Sequence, residues 1–202
     1  MKKLLCLGIL LCTILSGFAI IAAATSTTAT QTKAVIRSLS QEERVAVYYE
    51  PSETSRLKGE YFNGVSVNIL EHVSDEWVRV DITTFGDGGY GCIRLGDLAF
   101  GNEGEQVESN IIMYESVSDF IILNTHPNGP SGDIGPFGRG EQVELLGFVV
   151  SDSKTGDSGL AIKRPLVFEQ CNLHVKIGDT TGFLIVYDME GLREIDIKRK
   201  AE

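Results

Sequence analysis

Alternation of apolar residues between Val45 and Gly101 constrains the fold more than any other feature of the sequence. Val or Ile occupies every second position in three short runs: Val45 and Val47; Val65, Val67 and Ile69; and Val78, Val80 and Ile82. Side chains two residues apart share one face of a β-strand, so each run predicts a strand with one buried face. Residues typical of turns separate the runs, including Asn63-Gly64 and Gly86-Asp87-Gly88-Gly89. This spacing predicts an all-β fold with a small barrel over residues 42–101.

The order of the motifs in this stretch resembles that of a bacterial Src homology 3-like domain. The motifs are Val45-Ala46-Val47, Pro51-Ser52, Gly64, Asp75-Glu76-Trp77-Val78-Arg79-Val80, Gly91-Cys92-Ile93 and Leu98. A tryptophan at the place of Trp77 is typical of the family. The usual Gly-Trp-Ile near the end is changed here to Gly91-Cys92-Ile93, which removes one aromatic ring. The resemblance implies a small β-barrel that binds a ligand without catalysing a reaction.

A second, diverged copy of this pattern follows the polar residues 102–105. The patterns of residues 46–50, 64–70, 78–82 and 91–93 return, in the same order, at 111–115, 140–146, 173–177 and 182–184. Preserved order across four segments predicts an internal duplication, with a second barrel over residues 106–202. We expect an inserted hairpin between Phe148 and Gln170 and another hairpin in the tail, turning at residues 188–191. A differently connected β-sandwich is the alternative for this half.

The first 24 residues have the layout of a secretory signal peptide. Lys2 and Lys3 precede an apolar run, which ends in Ala22-Ala23-Ala24. The alternative is an uncleaved membrane anchor, the one way in which we expect the chain to meet a membrane. Residues 25–41 are rich in Thr and Ser and predict a flexible spacer, and pairing of Ala34-Val35-Ile36 as an edge strand is the alternative. The chain is therefore expected to be secreted or held at the cell envelope, outside the cytoplasm.

The charge of the chain argues against two classes of partner. It has 18 Lys and Arg residues against 28 Asp and Glu residues, a formal net charge of −10, and loss of the signal segment would make it more negative. A field of this sign repels nucleic acid and anionic lipid. We expect neither of them as a partner.

Catalytic, metal and cofactor sites are not predicted. No nucleophile with a neighbouring base can be read from the sequence, and Cys171 and His174 lack the further ligands that a metal needs. Cys92 is the other cysteine outside the signal segment. These two cysteines are either joined by a disulfide or separate buried thiols.

Aromatic residues of the first unit are the candidate ligand-binding residues. They are Tyr48, Tyr49, Tyr61, Trp77 and Tyr90. Rings with polar atoms suit a peptide or a sugar face, although such rings also cap the ends of small barrels. The resemblance and the signal segment together predict a non-catalytic module that binds cell-wall peptide or polysaccharide. A module that docks an envelope protein is the alternative.

Overall fold

Antiparallel β-strands make up most of the regular structure, which confirms the predicted all-β class. The computed structural model describes residues 32–40, 42–81, 90–127, 132–150, 166 and 171–195. The strands of its first half are β1 (Thr32–Ile36), β2 (Arg44–Tyr48), β3 (Leu57–Phe62), β4 (Ser66–His72), β5 (Trp77–Asp81), β6 (Tyr90–Arg94) and β7 (Leu98–Phe100). Those of its second half are β8 (Ile112–Ser116), β9 (Ile121–Asn124), β10 (Asp133–Phe137), β11 (Gln142–Val150), β12 (Cys171–Ile177), β13 (Thr180–Leu184) and β14 (Leu192–Ile195).

Among the described residues, three short helical segments interrupt the strands. Single 3-10 segments, Leu95–Asp97 and Val186–Gly191, precede β7 and β14, and a one-turn α-helix, Asn102–Glu105, follows β7. No helix among the described residues is long and apolar enough to span a membrane. The predicted signal segment lies outside these residues.

The predicted alternation is buried as expected. Of the residues in the three runs, those described are all in the core: Val45, Val47, Val65, Val67, Ile69, Val78 and Val80. Ile82 and the glycine-rich turn at 86–89 lie outside the described residues, as does most of the predicted inserted hairpin. Burial of these faces holds the sheet together because apolar area removed from water stabilises the folded chain.

The two halves have the same order of strand pairing. In the first half the order is β7-β1-β4-β5-β6-β2-β3. In the second half it is β14-β8-β11-β12-β13-β9-β10. Each strand of the first half thus has a counterpart seven strands later. The pairings between described strands do not close either half into a barrel, so the barrel stays a prediction.

Gly64 and Gly140 show the correspondence at the level of single hydrogen bonds. Their φ angles are 92° and 87°, a conformation that glycine adopts without strain. The amide of Gly64 donates to the carbonyl of Ile36 at 2.9 Å, and that of Gly140 donates to Ser116 at 2.8 Å. Matching register irregularities follow in β4 and β11, between Ile69 and Glu71 and between Leu145 and Gly147. The two strands therefore begin and bend alike.

Three structural details differ from the sequence analysis. Residues 111–115 were matched to β2, but β8 occupies the place of β1, since β8 pairs with β11 as β1 pairs with β4. The tail does not form a hairpin, because β14 pairs with β8 rather than with β13. Residues 32–36, within the predicted spacer, form β1, which is paired on both sides.

A single pairing joins the two halves into one sheet. β3 pairs with β11, with Gly59 opposite Val149 and Tyr61 opposite Gly147. Arg44 lies over the Phe148 ring at 4.5 Å from its centroid and adds a contact across the same junction. The predicted division into units at 42–101 and 106–202 stays a prediction, and the observed sheet is continuous through this pairing.

Cys92 and Cys171 are both buried thiols rather than partners in a disulfide. Cys92 lies in β6 of the first half and Cys171 begins β12 of the second. Of the two expected arrangements, a disulfide or separate buried thiols, the structure has the separate thiols.

Candidate functional site

An open groove of about 730 Å³ lies on the first half, between the ends of its strands. Four segments of chain line it. The first two are Ser38, Leu39, Ser40 and Glu42, which follow β1, and Val45, Ala46, Tyr48 and Glu53, which lie along and beyond β2. The other two are Asp75 and Glu76, which precede β5, and Arg94, Leu95, Gly96 and Asp97, which begin at the last residue of β6. We call this the acidic groove, because five of these residues are carboxylates and only one is basic. A groove with this excess of negative charge attracts cations.

The single cation of the acidic groove, Arg94, is held by two neighbours. Its Nη2 lies 3.0 Å from Oε1 of Glu53, and its guanidinium lies 5.8 Å from the centroid of the Trp77 ring. The pairing with Glu53 neutralises one carboxylate, while the exposed Asp75 and Glu76 keep the groove negative. We therefore expect the groove to recognise a positively charged group.

Local hydrogen bonds fix the loop that carries Asp75 and Glu76. Ser74 Oγ accepts the amides of Glu76 at 3.3 Å and Trp77 at 3.2 Å, which is a local serine turn. The amide of Leu95 donates to the carbonyl of Glu76 at 2.8 Å and ties this loop to the 3-10 segment. Two walls of the acidic groove are thus joined by a backbone hydrogen bond.

Tyr48 and Trp77 are brought together at the acidic groove. Their ring centroids lie 5.8 Å apart at an interplanar angle of 75°, an edge-to-face contact. Tyr48 lines the groove, while Trp77 packs behind it and is 7% exposed. Trp77 therefore supports the wall of the groove rather than offering a broad open face.

The other predicted ligand-binding residues lie elsewhere. Tyr49 and Tyr90 sit among basic side chains of the first half, where Lys58 Nζ lies 4.9 Å and 5.6 Å from the two ring centroids. Tyr61 is fully buried at the junction of the halves. Pairing of β3 with β11 covers Tyr61, so its ring is not exposed to a ligand.

Acidic residues from separate loops are what the sequence analysis missed. Asp75, Glu76, Glu53 and Asp97 stand among many other carboxylates in the chain, and no spacing distinguishes them. They meet only because the loops between strands converge at one end of the sheet. The one available signal is that Asp75 and Glu76 lie just before the alternating run at Val78 and Val80, where a loop joins two predicted strands.

The buried titratable residues are poorly placed for catalysis. Burial raises the pKa of the Cys92 thiol, with smaller opposing effects from Arg79, and a thiol with a raised pKa is a weak nucleophile. Burial lowers the pKa of His174 to about 3, and its ring is fully buried. Neither residue lines the acidic groove.

A smaller groove of about 480 Å³ lies on the second half and overlaps only in part with the position that corresponds to the acidic groove. It is lined by Ser118, Phe120, Ile121, Ile122, Asn124, Asp133 and Gly191. It has one carboxylate, and its Phe120 is 60% exposed. The groove of the second half therefore has fewer carboxylates than the acidic groove.

No family model and no curated protein matches this sequence. Among solved structures, NlpC1 from Trichomonas vaginalis matches 88% of this chain and 50% of its own, at 16% identity and a TM-score of 0.30. NlpC2 from the same organism matches 81% of this chain and 48% of its own, at 16% identity and a TM-score of 0.31. The chain spans about half the length of these proteins. TM-scores this low carry no argument about fold or activity.

Proposed function

We propose that the protein is a non-catalytic binding module, exported to the cell envelope, with two Src homology 3-like units. Its first unit binds an extended peptide that carries a cationic side chain, and a cell-wall peptide with a free amino group is the favoured ligand. The acidic groove is the observation that carries this proposal. A neutral polysaccharide is a weaker candidate there, because broad ring faces are not offered.

The strand order of each half supports the assignment of two related units. Each half has a three-stranded meander, β4-β5-β6 or β11-β12-β13, flanked by its first strand on one side and its second strand on the other, and followed in sequence by a 3-10 segment. That arrangement is compatible with the resemblance seen around Trp77.

The open shape of the acidic groove supports a ligand that lies across it. The groove runs from the segment after β1 to the loop before β5, and Tyr48, which is 9% exposed, is one of its lining residues. A tyrosine ring contacts the backbone and apolar stems of a peptide, while surrounding carboxylates pair with an ammonium group. An exposed groove of this kind binds weakly at each contact, so the cationic group provides the selectivity.

Retention on purified peptidoglycan tests the proposal. The wild type should be retained, and Asp75→Asn combined with Glu76→Gln should weaken retention about tenfold, because two carboxylates are lost. A matched control, Glu108→Gln with Asp179→Asn, removes two exposed carboxylates outside the groove. Equal weakening by both variants, or no retention of the wild type, would refute the proposed ligand.

Docking of a protein is the second candidate function, since a basic segment of a partner protein carries the same positive charge as the proposed cell-wall peptide. A fluorescent peptide with one lysine, and the same peptide with that lysine acetylated, test whether the groove recognises the positive charge. Acetylation removes the charge and should abolish binding in either case. Binding of the lysine peptide without retention on peptidoglycan favours a protein partner.

A further inference from the structure

We propose that the second half has a binding site of its own, which takes a neutral polysaccharide. The site is a row of side chains along one face of β9 and across to β10, which we call the β9 row: Phe120, Ile122, Asn124 and Asp133. All four line the smaller groove of about 480 Å³, and none of them lines the acidic groove. The inference therefore stands independently of the peptide proposal.

Strand alternation places the row on the solvent face of β9. Ile121 and Leu123 point into the core, where they are 5% and 0% exposed. Successive side chains of a strand point to opposite faces, so the residues before, between and after these two share the other face. Asp133 of β10 lies directly opposite Asn124, and directly opposed residues of antiparallel strands share a face. The β9 row is therefore one continuous surface.

The loop that carries Phe120 is fixed by local hydrogen bonds and by a second segment of chain. Ser118 Oγ accepts the amide of Phe120 at 3.2 Å and donates to its carbonyl at 3.0 Å. The amide of Val117 donates to the carbonyl of Gly191 at 2.9 Å, and a Cβ at Gly191 would lie 3.2 Å from Ser118 Cβ. The backbone at Phe120 is thus held in place while its ring is 60% exposed. A ligand that packs on this ring does not have to order the loop first.

The far end of the row offers hydrogen-bond acceptors. Asn124 Nδ2 donates to the carbonyl of Phe183 at 3.5 Å, and Asn124 Oδ1 has no hydrogen-bond partner among the described residues. The carboxylate of Asp133 is exposed and forms no hydrogen bond or ion pair with them either. Both groups accept hydroxyl groups. The row therefore leads from an exposed ring, past an aliphatic side chain, to two acceptors.

This order of groups suits a sugar chain. One face of a sugar ring consists of C–H groups, which pack on the electron-rich face of an aromatic ring. The edge of the sugar carries hydroxyl groups, which donate to amide and carboxylate oxygens. From Phe120 to Asn124 the row measures about 13 Å, since a strand rises about 3.3 Å per residue. The row is long enough to contact a sugar chain at more than one point.

The charge of the groove favours a neutral ligand. Its lining has one carboxylate, Asp133, and no basic side chain. Asp119, which precedes Phe120, is paired with Arg139 at 2.8 Å. An anionic ligand is repelled by Asp133 and by the formal net charge of −10, and a cationic ligand finds more carboxylates in the acidic groove. Hydroxyl groups are donors without charge and therefore fit this site.

Titration of the full chain with chitotetraose and with cellotetraose, two neutral oligosaccharides, tests the site. Amide signals of Ile122, Asn124 and Asp133 in the labelled protein should shift with at least one of them, and the affinity should change by less than about twofold between about 50 and 500 mM salt. Phe120→Ala should weaken binding about tenfold, and Phe120→Trp should keep it. Ile185→Ala, which removes another exposed apolar side chain of the second half, outside the groove, should leave binding unchanged.

Changes at Asp133 separate acceptance of hydroxyl groups from attraction by charge. Asp133→Asn removes the charge but keeps an oxygen that accepts a hydroxyl group, and should bind the sugar within about twofold of the wild type. Asp133→Ala removes the acceptor as well and should weaken binding severalfold. Equal weakening by these two variants, or binding that falls steeply with salt, would show that charge is recognised and would overturn the neutral ligand.

Three further results would also overturn the proposal. They are failure of both oligosaccharides to bind at millimolar concentration, equal weakening by Phe120→Ala and Ile185→Ala, and self-association that Phe120→Ala abolishes in a protein that binds neither sugar. Asp75→Asn with Glu76→Gln should bind the sugar like the wild type, and Phe120→Ala should bind the lysine peptide like the wild type. Failure of the sugar site and failure of the peptide site are therefore distinguishable.

Discussion

His174 is buried at the junction of the two halves, where its counterpart in the first half is a partly exposed arginine. His174 pairs with Phe183 in β13 as Arg79 pairs with Cys92 in β6. Its Nδ1 lies 3.2 Å from the Tyr61 hydroxyl, and its ring stacks on Phe183 at 4.7 Å. Its Nε2 has no hydrogen-bond partner among the described residues. Burial outweighs the hydrogen bond with Tyr61 and disfavours the charged imidazole.

Protonation of His174 should therefore unfold the protein in acid. Burial lowers its pKa to about 3, whereas an unfolded histidine has a pKa of about 6.5. Between these values the unfolded chain binds a proton that the folded chain does not. Stability from this residue is present above pH 6.5 and is lost as the pH falls, by up to about 1.4 kcal/mol per pH unit.

Urea unfolding between pH 7 and pH 4 measures this effect. The wild type should lose stability more steeply than His174→Asn, because the variant no longer titrates in this range. His72→Asn is the matched control, since His72 is exposed, and should keep the wild-type slope. Parallel pH profiles for the wild type and His174→Asn would contradict the buried neutral state.

At the scale of elements, the pairing of β3 with β11 depends on two glycines. A Cβ on Gly59 would lie 2.6 Å from the carbonyl oxygen of Phe148. A Cβ on Gly147 would overlap the carbonyl oxygen of Glu60 and the ring of Tyr61. Both glycines therefore allow the two strands, and the Tyr61 ring, to approach closely.

Gly147→Ala should destabilise the fold by about 1–3 kcal/mol, because the added methyl group forces the strands apart. Gly138→Ala is the matched control, since nothing lies within 4 Å of a Cβ at Gly138. The free energy of unfolding in urea compares them. A similar change in both variants would mean that the junction does not require a bare backbone at Gly147.

Prediction from the sequence succeeded where the signal is local. Gly64 and Gly140 mark strand starts because each precedes an alternating run, and the core positions of β4 and β5 follow from their period of two. The match of residues 111–115 to β2 failed because strand patterns resemble one another, and pairing alone identifies β8 as the counterpart of β1. Burial of Tyr61 was not predicted because its cover comes from β11, which is distant in sequence.

At the scale of the whole molecule, the two halves share an order of strand pairing but differ in the residues that line their grooves. Five carboxylates line the first groove, and Asp133 is the one carboxylate of the second. The acidic groove was not predictable, because its carboxylates come from four loops that only the folded sheet brings together.

Binding at the acidic groove is the central claim, and amide chemical shifts of the isotopically labelled protein test it most directly. Titration with the lysine peptide should move the amide signals of Leu39, Tyr48, Glu76 and Gly96, which surround the groove, and the acetylated peptide should leave them unchanged. Shifts of these signals that depend on the lysine charge would support the account. Shifts confined to other residues, or equal shifts with both peptides, would contradict it.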